Sequence, residues 1–205
     1  MLEHVPPISV EKLSELLTVG DCVFIRIPFK PFRLVAAATG SWTNHVGVVI
    51  DRDAGGPVIA ESKFPFSRKS SLRGFLGRSE CGRVAVSRLN SAISGEQRRR
   101  LKAAATRRLG TFYDTGFNLR RAHRQFCSRY VREVLAEATG ISVGEVESFA
   151  TLLSRRPNTD LGFWKMWYFG RIPWSRETVS PASLLESPHL APVFDGFAAS
   201  VGNAS

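Results

Sequence analysis

The spacing of apolar residues changes once along this chain, from runs that suit strands to a stripe that suits helices. That change limits the fold more than any other feature. The first half holds short runs rich in β-branched side chains: Cys22-Val23-Phe24-Ile25-Arg26-Ile27, Asn44-His45-Val46-Gly47-Val48-Val49, Val58-Ile59-Ala60-Glu61-Ser62 and Val84-Ala85-Val86. Runs of this kind bounded by Gly, Pro and Asp predict strands. Further on, Tyr130, Val131, Val134, Leu135 and Ala138 recur at helical spacing and stop at Gly140. Strands first and helices second predict an α+β domain.

Helix signals frame these runs. Ser9 caps a short helix with Leu13, Leu16 and Leu17 inward, and Pro31 to Thr39 is a helix stopped by Gly40. Ser94-Gly95-Glu96-Gln97 is a capping box for a helix reaching about Leu109. Ser142-Val143-Gly144-Glu145 is a second box, opening a helix that buries Val146, Phe149, Leu152 and Leu153. Residues 64–82 read as irregular, basic and rich in Ser and Gly. A length of 205 residues suits one domain, 1–205, with its core at about 9–196. The C-terminal tail beyond it is a candidate for disorder.

No apolar run approaches the roughly 18–20 residues of a membrane span, and the first residues lack a secretory pattern. Cys22, Cys81 and Cys127 are spaced neither as a disulfide framework nor as a zinc site, so reduced thiols in a cytoplasmic protein are expected. No metal-ligand spacing, phosphate-binding loop or serine elbow is present, so neither metal nor cofactor is expected. The net charge of +10 rests on Arg98-Arg99-Arg100, Arg107-Arg108, Arg120-Arg121 and Arg155-Arg156. This is either a solvated basic face or a surface for an anionic partner such as lipid or nucleic acid. No specific nucleic-acid motif accompanies it.

The residue with the most chemical potential is Cys127, at the start of the helix that carries the Tyr130 stripe. A helix start aims free N–H groups and a positive dipole end at the sulfur, which favours thiolate. An inward thiol there is either a small packed hydrophobe or a nucleophile facing a cleft. His45 and Glu61 lie on neighbouring strands. A five-residue loop, 51–55, would set them opposite each other, and a slip of one pair would make them diagonal, still within reach. Gly47, on the histidine's face, would leave open space for a substrate. His123, four residues before Cys127, is the rival base if 118–130 is one helix. Cys22 reads as structural, and Cys81 has no partner. Trp164, Trp167 and Tyr168 fall in a dense aromatic segment that packs as core, lines an apolar substrate groove or meets a membrane interface.

Gly20-Asp21 before a strand, Asn44-His45-Val46-Gly47, Ala60-Glu61-Ser62, Gly110-x-x-Tyr113-Asp114, Phe126-Cys127-Ser128 and the tail Ser180 to Ser187 occur in one order. That ordered set resembles the YiiX/YebB-like group of permuted papain-fold proteins, relatives of NlpC-type peptidases and lecithin retinol acyltransferase, and is most similar to the YebB branch. The resemblance implies a circularly permuted papain-like fold, with antiparallel strands first and the nucleophile helix later. It implies Cys127 as nucleophile, His45 as base and Glu61 as orienter. Tyr113, Asn44 and Asp21 fall on matching segments as possible support, with packing as the other role for Tyr113.

Taken together, these readings predict a cysteine hydrolase or acyltransferase acting on a peptide-, amide- or acyl-lipid-like substrate. The alternative is a basic protein that binds nucleic acid or an anionic membrane, with a vestigial site.

Overall fold

A computed structural model describes residues 6–154 and 161–199. The first half runs through α1 (Val10–Leu16), β1 (Cys22–Ile25), α2 (Lys30–Thr39), β2 (His45–Asp53) and β3 (Gly56–Glu61). It continues through β4 (Arg68–Ser71), α3 (Leu72–Leu76) and β5 (Arg83–Leu89). There follow α4 (Gly95–Arg107), β6 (Phe112–Tyr113), β7 (Arg124–Gln125), α5 (Cys127–Thr139) and β8 (Glu147–Ser148). The last elements are α6 (Phe149–Ser154), α7 (Leu161–Trp167), β9 (Glu177–Thr178), α8 (Pro181–Leu185) and β10 (Leu190–Phe197).

The β-branched runs meet in a six-stranded sheet ordered β10-β5-β1-β2-β3-β4, antiparallel throughout. β1 lies inside the sheet with all four residues buried, which explains its unbroken apolar run. On one face Val46, Val48 and Ile50 pack with Leu101 of α4 and with Tyr130, Val131 and Val134 of α5. On the other, Val49 and Ile59 pack with Leu13 of α1 and Phe75 of α3. A third cluster joins α2, α6 and α7 through Ala38, Phe149, Leu153, Phe163 and Trp164.

α5 holds the position on which the site depends. Its stripe Tyr130, Val131, Val134, Leu135 and Ala138 is wholly buried, and each large side chain contributes roughly 1.5–3 kcal/mol. Tyr130 donates its hydroxyl to the Ala105 carbonyl at 2.9 Å, tying α5 to α4. Gly140 ends the helix at φ 79, a left-handed conformation that glycine adopts without strain.

Several expectations are corrected. Residues 64–82 are not irregular: β4 pairs along β3, and Ser71 caps α3 by accepting the Gly74 N–H. Charged Arg68 and Lys69 suit β4 to its place at the sheet edge. The helix expected from Glu145 begins only at Phe149, because residues 147–148 pair with β9, and Val146 is exposed, as is Leu16. Sequence reading missed β10, whose Pro192 is tolerated at an edge beside a bulge. Ala198 and Ala199 remain bonded to Gly82 and Ile8, so the order extends past the expected core. The rest of the expected tail, 200–205, and the Arg155-Arg156 pair lie outside the described residues.

Candidate active site

β2 and β3 carry the imidazole and the carboxylate. The expected five-residue loop is a two-residue turn, Ala54-Gly55, between paired Asp53 and Gly56. The register shifts between Val49 and Asp51, giving β2 one extra residue, and beyond it Val48 pairs with Ala60. Continued one step, this sets Gly47 across from Glu61 and leaves His45 diagonal to it. The long side chains close the gap: His45 Nε2 lies 2.5 Å from Glu61 Oε2.

Glu61 is fully buried and fully engaged. Its Oε1 accepts from Ser70 Oγ at 2.5 Å and from Arg78 Nη2 at 2.6 Å. Burial alone would raise this carboxyl; the His45 hydrogen bond and charge, and then Arg78, instead hold it down to about 2. Ser70 and Arg78 were not found from sequence. Both belong to the stretch read as irregular, and only the β3–β4 pairing brings that stretch alongside Glu61.

Cys127 is the first residue of α5, and Phe126 before it offers no side-chain cap. The free N–H of Ser128 at the helix start, the N–H of Val46 on β2 and the His45 ring all act on the sulfur in favour of its thiolate. Burial pushes the thiol up, but the His45 hydrogen bond and charge, with those two N–H groups, outweigh it and hold the thiol below its ordinary value. For His45 the balance runs the other way. Burial pushes the imidazole down, while hydrogen bonds to Cys127 and Glu61 raise it to about 9. With Nε2 engaged by Glu61, Nδ1 is the nitrogen left to the sulfur. The chain thus brings thiol, imidazole and carboxylate together, buried at 3%, 2% and 0% exposure, with the imidazole hydrogen-bonded to the carboxylate.

Tyr113 also reaches the sulfur through its hydroxyl; burial, then the neighbouring Cys127, keeps the phenol protonated far above its usual range. Its ring stands edge-on to Phe32 at 6.5 Å and to Phe117 at 6.4 Å. Asn44 is committed to the backbone of Ile27, accepting its N–H at 2.8 Å and donating to its carbonyl at 3.0 Å. It pins the chain just before His45, with both ends of its amide bonded to the Ile27 backbone. Asp21 is placed elsewhere. It bonds Arg88 Nε at 2.7 Å and the Thr18 N–H at 2.8 Å, at the end of β1 where Cys22 pairs with Val48, while His45 pairs with Ile25 at the other end.

A cavity of about 380 Å³ with an almost wholly apolar wall opens beside the site, and Trp164 and Trp167 line it. A crevice of about 30 Å³ borders Cys127 and shares Phe32, Tyr113, Phe117 and Trp164 with that cavity. Tyr168 lies behind the wall, stacked on Trp164 at 6.1 Å and donating its hydroxyl to the Gly116 carbonyl. Gly47 does not provide the expected open space: a Cβ there would meet Ile59 Cγ2 at 2.5 Å and Phe75 Cε2 at 2.9 Å.

His123 is exposed in a turn before β7, outside any helix and away from the rival-base geometry. Cys22 is buried, which raises its thiol, and Cys81 is exposed. Many of the arginines are paired: Arg99 and Arg100 with Glu96, Arg107 and Arg108 with Glu137, Arg120 with Glu177, Arg121 with Asp114. Among the described residues, no group of three or more His, Cys, Asp or Glu is placed to hold a metal, and no helix is long and apolar enough to cross a membrane.

Residues 16–194 match the family described as permuted papain-like amidase enzyme, YaeF/YiiX, C92 family. The chain is 27% identical over 186 residues to the uncharacterized protein YiiX of Escherichia coli (strain K12), covering 91% of this chain and 90% of that one. The crystal structure of YiiX from Escherichia coli O157:H7, described as a metalloprotein, superposes with a TM-score of 0.77 at 26% identity, over 88% of this chain and 98% of that one. The antiparallel sheet, the late cysteine helix and this match over most of the sequence agree: the chain belongs to the permuted papain-like amidase family of YaeF and YiiX.

Proposed function

We propose that this protein cleaves or transfers an acyl group at an amide, ester or thioester carbonyl, with Cys127 as nucleophile, His45 as base and Glu61 as orienter. One observation carries the reading: the buried imidazole that neighbours the Cys127 sulfur lies 2.5 Å from the Glu61 carboxylate. Proton transfer from sulfur to Nδ1 gives a thiolate–imidazolium pair, which Glu61 stabilises from Nε2. The thiolate attacks the carbonyl carbon, and the backbone N–H of Cys127, at the start of α5, would help hold the oxyanion. The imidazolium then protonates the leaving group, and water or another acceptor resolves the thioester. The Tyr113 hydroxyl, held protonated beside the sulfur, is a further donor to developing negative charge. The YiiX of known structure is described as a metalloprotein; among the described residues of this chain, no group of three or more His, Cys, Asp or Glu is placed to hold a metal.

Iodoacetamide labelling across pH, mapped by mass spectrometry, tests the reading. Cys127 labels selectively over Cys22 and Cys81, with an apparent pKa below the free value of about 8.5, and the selectivity is lost in His45→Ala. A panel of amide, ester and thioester substrates should show turnover that Cys127→Ser abolishes. Indifferent labelling of the three thiols would overturn the assignment.

A further inference from the structure

We infer that Lys63, Arg68 and Arg78 form a binding site for a phosphoryl group, beside the Glu61 oxygen that does not face His45. The inference goes beyond the proposed function and does not need Cys127 to be a nucleophile. Three features carry it.

The first is charge. Arg68 pairs with Glu61 across the β3–β4 ladder, and opposed residues share a face. Arg78, in the turn after α3, bonds Glu61 Oε1 at 2.6 Å. Lys63 stands two residues beyond Glu61, and its ammonium is held below its ordinary pKa by burial, then by the charges of Arg78 and Arg68. These half-buried cations crowd round one carboxylate, whose oxygens already serve His45 and Ser70 as well. Among the described residues no salt bridge joins Lys63 or Arg68 to a carboxylate, whereas Arg88, Arg108 and Arg120 are paired with Asp21, Glu137 and Glu177.

The second is hydrogen bonding. Arg68 Nε and Arg78 Nη1 are shielded from solvent and meet no acceptor in the protein. A buried charged donor without a partner costs stability, and an arriving acceptor offsets that cost. The third is rigidity. Arg78 donates from Nε to the Gly74 carbonyl at 3.2 Å and from Nη2 to Glu61, and its guanidinium lies 5.0 Å from the centre of the Phe75 ring. The fork is fixed, with Nη1 unspent. The Arg68 guanidinium lies 5.7 Å from the centre of the Phe66 ring. Two held arginines beside a lysine suit a phosphoryl group, which brings up to two negative charges and several acceptor oxygens. That chemistry comes either as free phosphate or as a phosphate monoester on a larger molecule.

Isothermal titration calorimetry of the full chain with inorganic phosphate tests the site, at constant ionic strength set by sodium chloride. A working pH of about 7.5 gives a phosphoryl group most of its second charge. Phosphate should bind with a saturable heat at a single site, and the thermal midpoint should rise with its concentration. Arg68→Gln and Lys63→Gln each remove a charged donor and should weaken binding about tenfold or more. Arg78 is left intact because it braces Glu61. Arg98→Gln, exposed on α4, removes the same charge elsewhere and should leave the affinity unchanged. Phenyl phosphate separates the two sources. Binding at least as tight as that of phosphate assigns a monoester on a larger molecule, and weaker binding assigns the free ion.

No saturable heat would overturn the site and leave the triad untouched. A loss in Arg98→Gln equal to that in Arg68→Gln would mark diffuse attraction to a basic protein and overturn it as well. Unchanged affinity in folded Arg68→Gln and Lys63→Gln proteins would do the same.

Discussion

Glu61→Gln separates charge from shape at the centre of the site. The side chain keeps its length and a hydrogen-bonding end, but His45 and Arg78 lose the carboxylate that each now bonds. The rise of His45 from 6.5 to about 9 is what Cys127 and Glu61 achieve against burial, which acts the other way. The fall of Glu61 from 4.5 to about 2 reports the same contact from the other side, so the two are not added. A hydrogen bond between charged groups contributes roughly 1.5–3 kcal/mol, so its loss weakens the thiolate–imidazolium pair about tenfold or more. The pH dependence follows with its sign. The depressed Glu61 pKa contributes stability present above pH 4.5 and lost as pH falls through about 2. The raised His45 pKa contributes stability present below pH 6.5 and lost as pH rises through about 9. The pair is therefore worth most between those inner limits, and the variant's stability profile should lose both flanks. The assay is the rate of iodoacetamide labelling at Cys127 from about pH 5 to 8, with circular dichroism to confirm folding. At about pH 6 the rate should fall about tenfold and the profile should move to higher pH. Acyl transfer, which needs the oriented base, should fall roughly 10²–10⁴-fold. A folded Glu61→Gln protein with an unchanged labelling profile would refute the role of the carboxylate.

Tyr113→Phe keeps the ring between Phe32 and Phe117 but removes the donor at the sulfur. Acyl transfer should drop roughly 10²-fold and the labelling profile should shift upward, whereas a packing role alone would move neither. Gly47→Ala drives a methyl into Ile59 and Phe75, the latter packed on the His45 ring at 5.6 Å. The cost of about 1–3 kcal/mol should lower the thermal midpoint by about 2–4 °C per kcal/mol. Asp21→Asn unpairs Arg88 from a fully buried carboxylate, for about 1.5–3 kcal/mol of stability. Because Asp21 stands at the far end of β1, Cys127 labelling should keep its wild-type rate, and a slower rate would place Asp21 in the site after all.

The parts of the molecule legible in sequence are those set by local periodicity. The buried stripe of α5, its Gly140 stop, the Ser94 capping box and the apolar runs of β1 to β3 each carry their signal within a dozen or so residues. What depends on pairing with a distant polar strand was not legible. Arg68-Lys69-Ser70-Ser71 has little strand propensity of its own and is extended because β3 offers it a free edge. Ser70 and Arg78 reach Glu61 only once that edge is taken. The role of Gly47 was misread for a related reason: an absent side chain looks like space in a sequence, but here Ile59 and Phe75 occupy it.

Register is the sharpest case, because two departures cancel. The turn is shorter than expected, and Asp53 pairs with Gly56. Carried without interruption, that pairing would set Val48 opposite Glu61 and turn the carboxylate to the sheet face away from His45, since neighbours alternate and opposed residues share a face. The extra residue between Val49 and Asp51 moves Glu61 across from Gly47 instead, on the face that His45 shares. A five-residue loop and a two-residue turn with one bulge have the same parity. The expectation that His45 and Glu61 share a face therefore held, although neither the loop nor the pairing was as expected. A bulge of one residue, four or five positions from the histidine, thus decides whether the imidazole is braced at all. It also gives β2 a reason to carry an irregularity that costs a ladder bond: without it, the buried Glu61 would lose His45 as a partner.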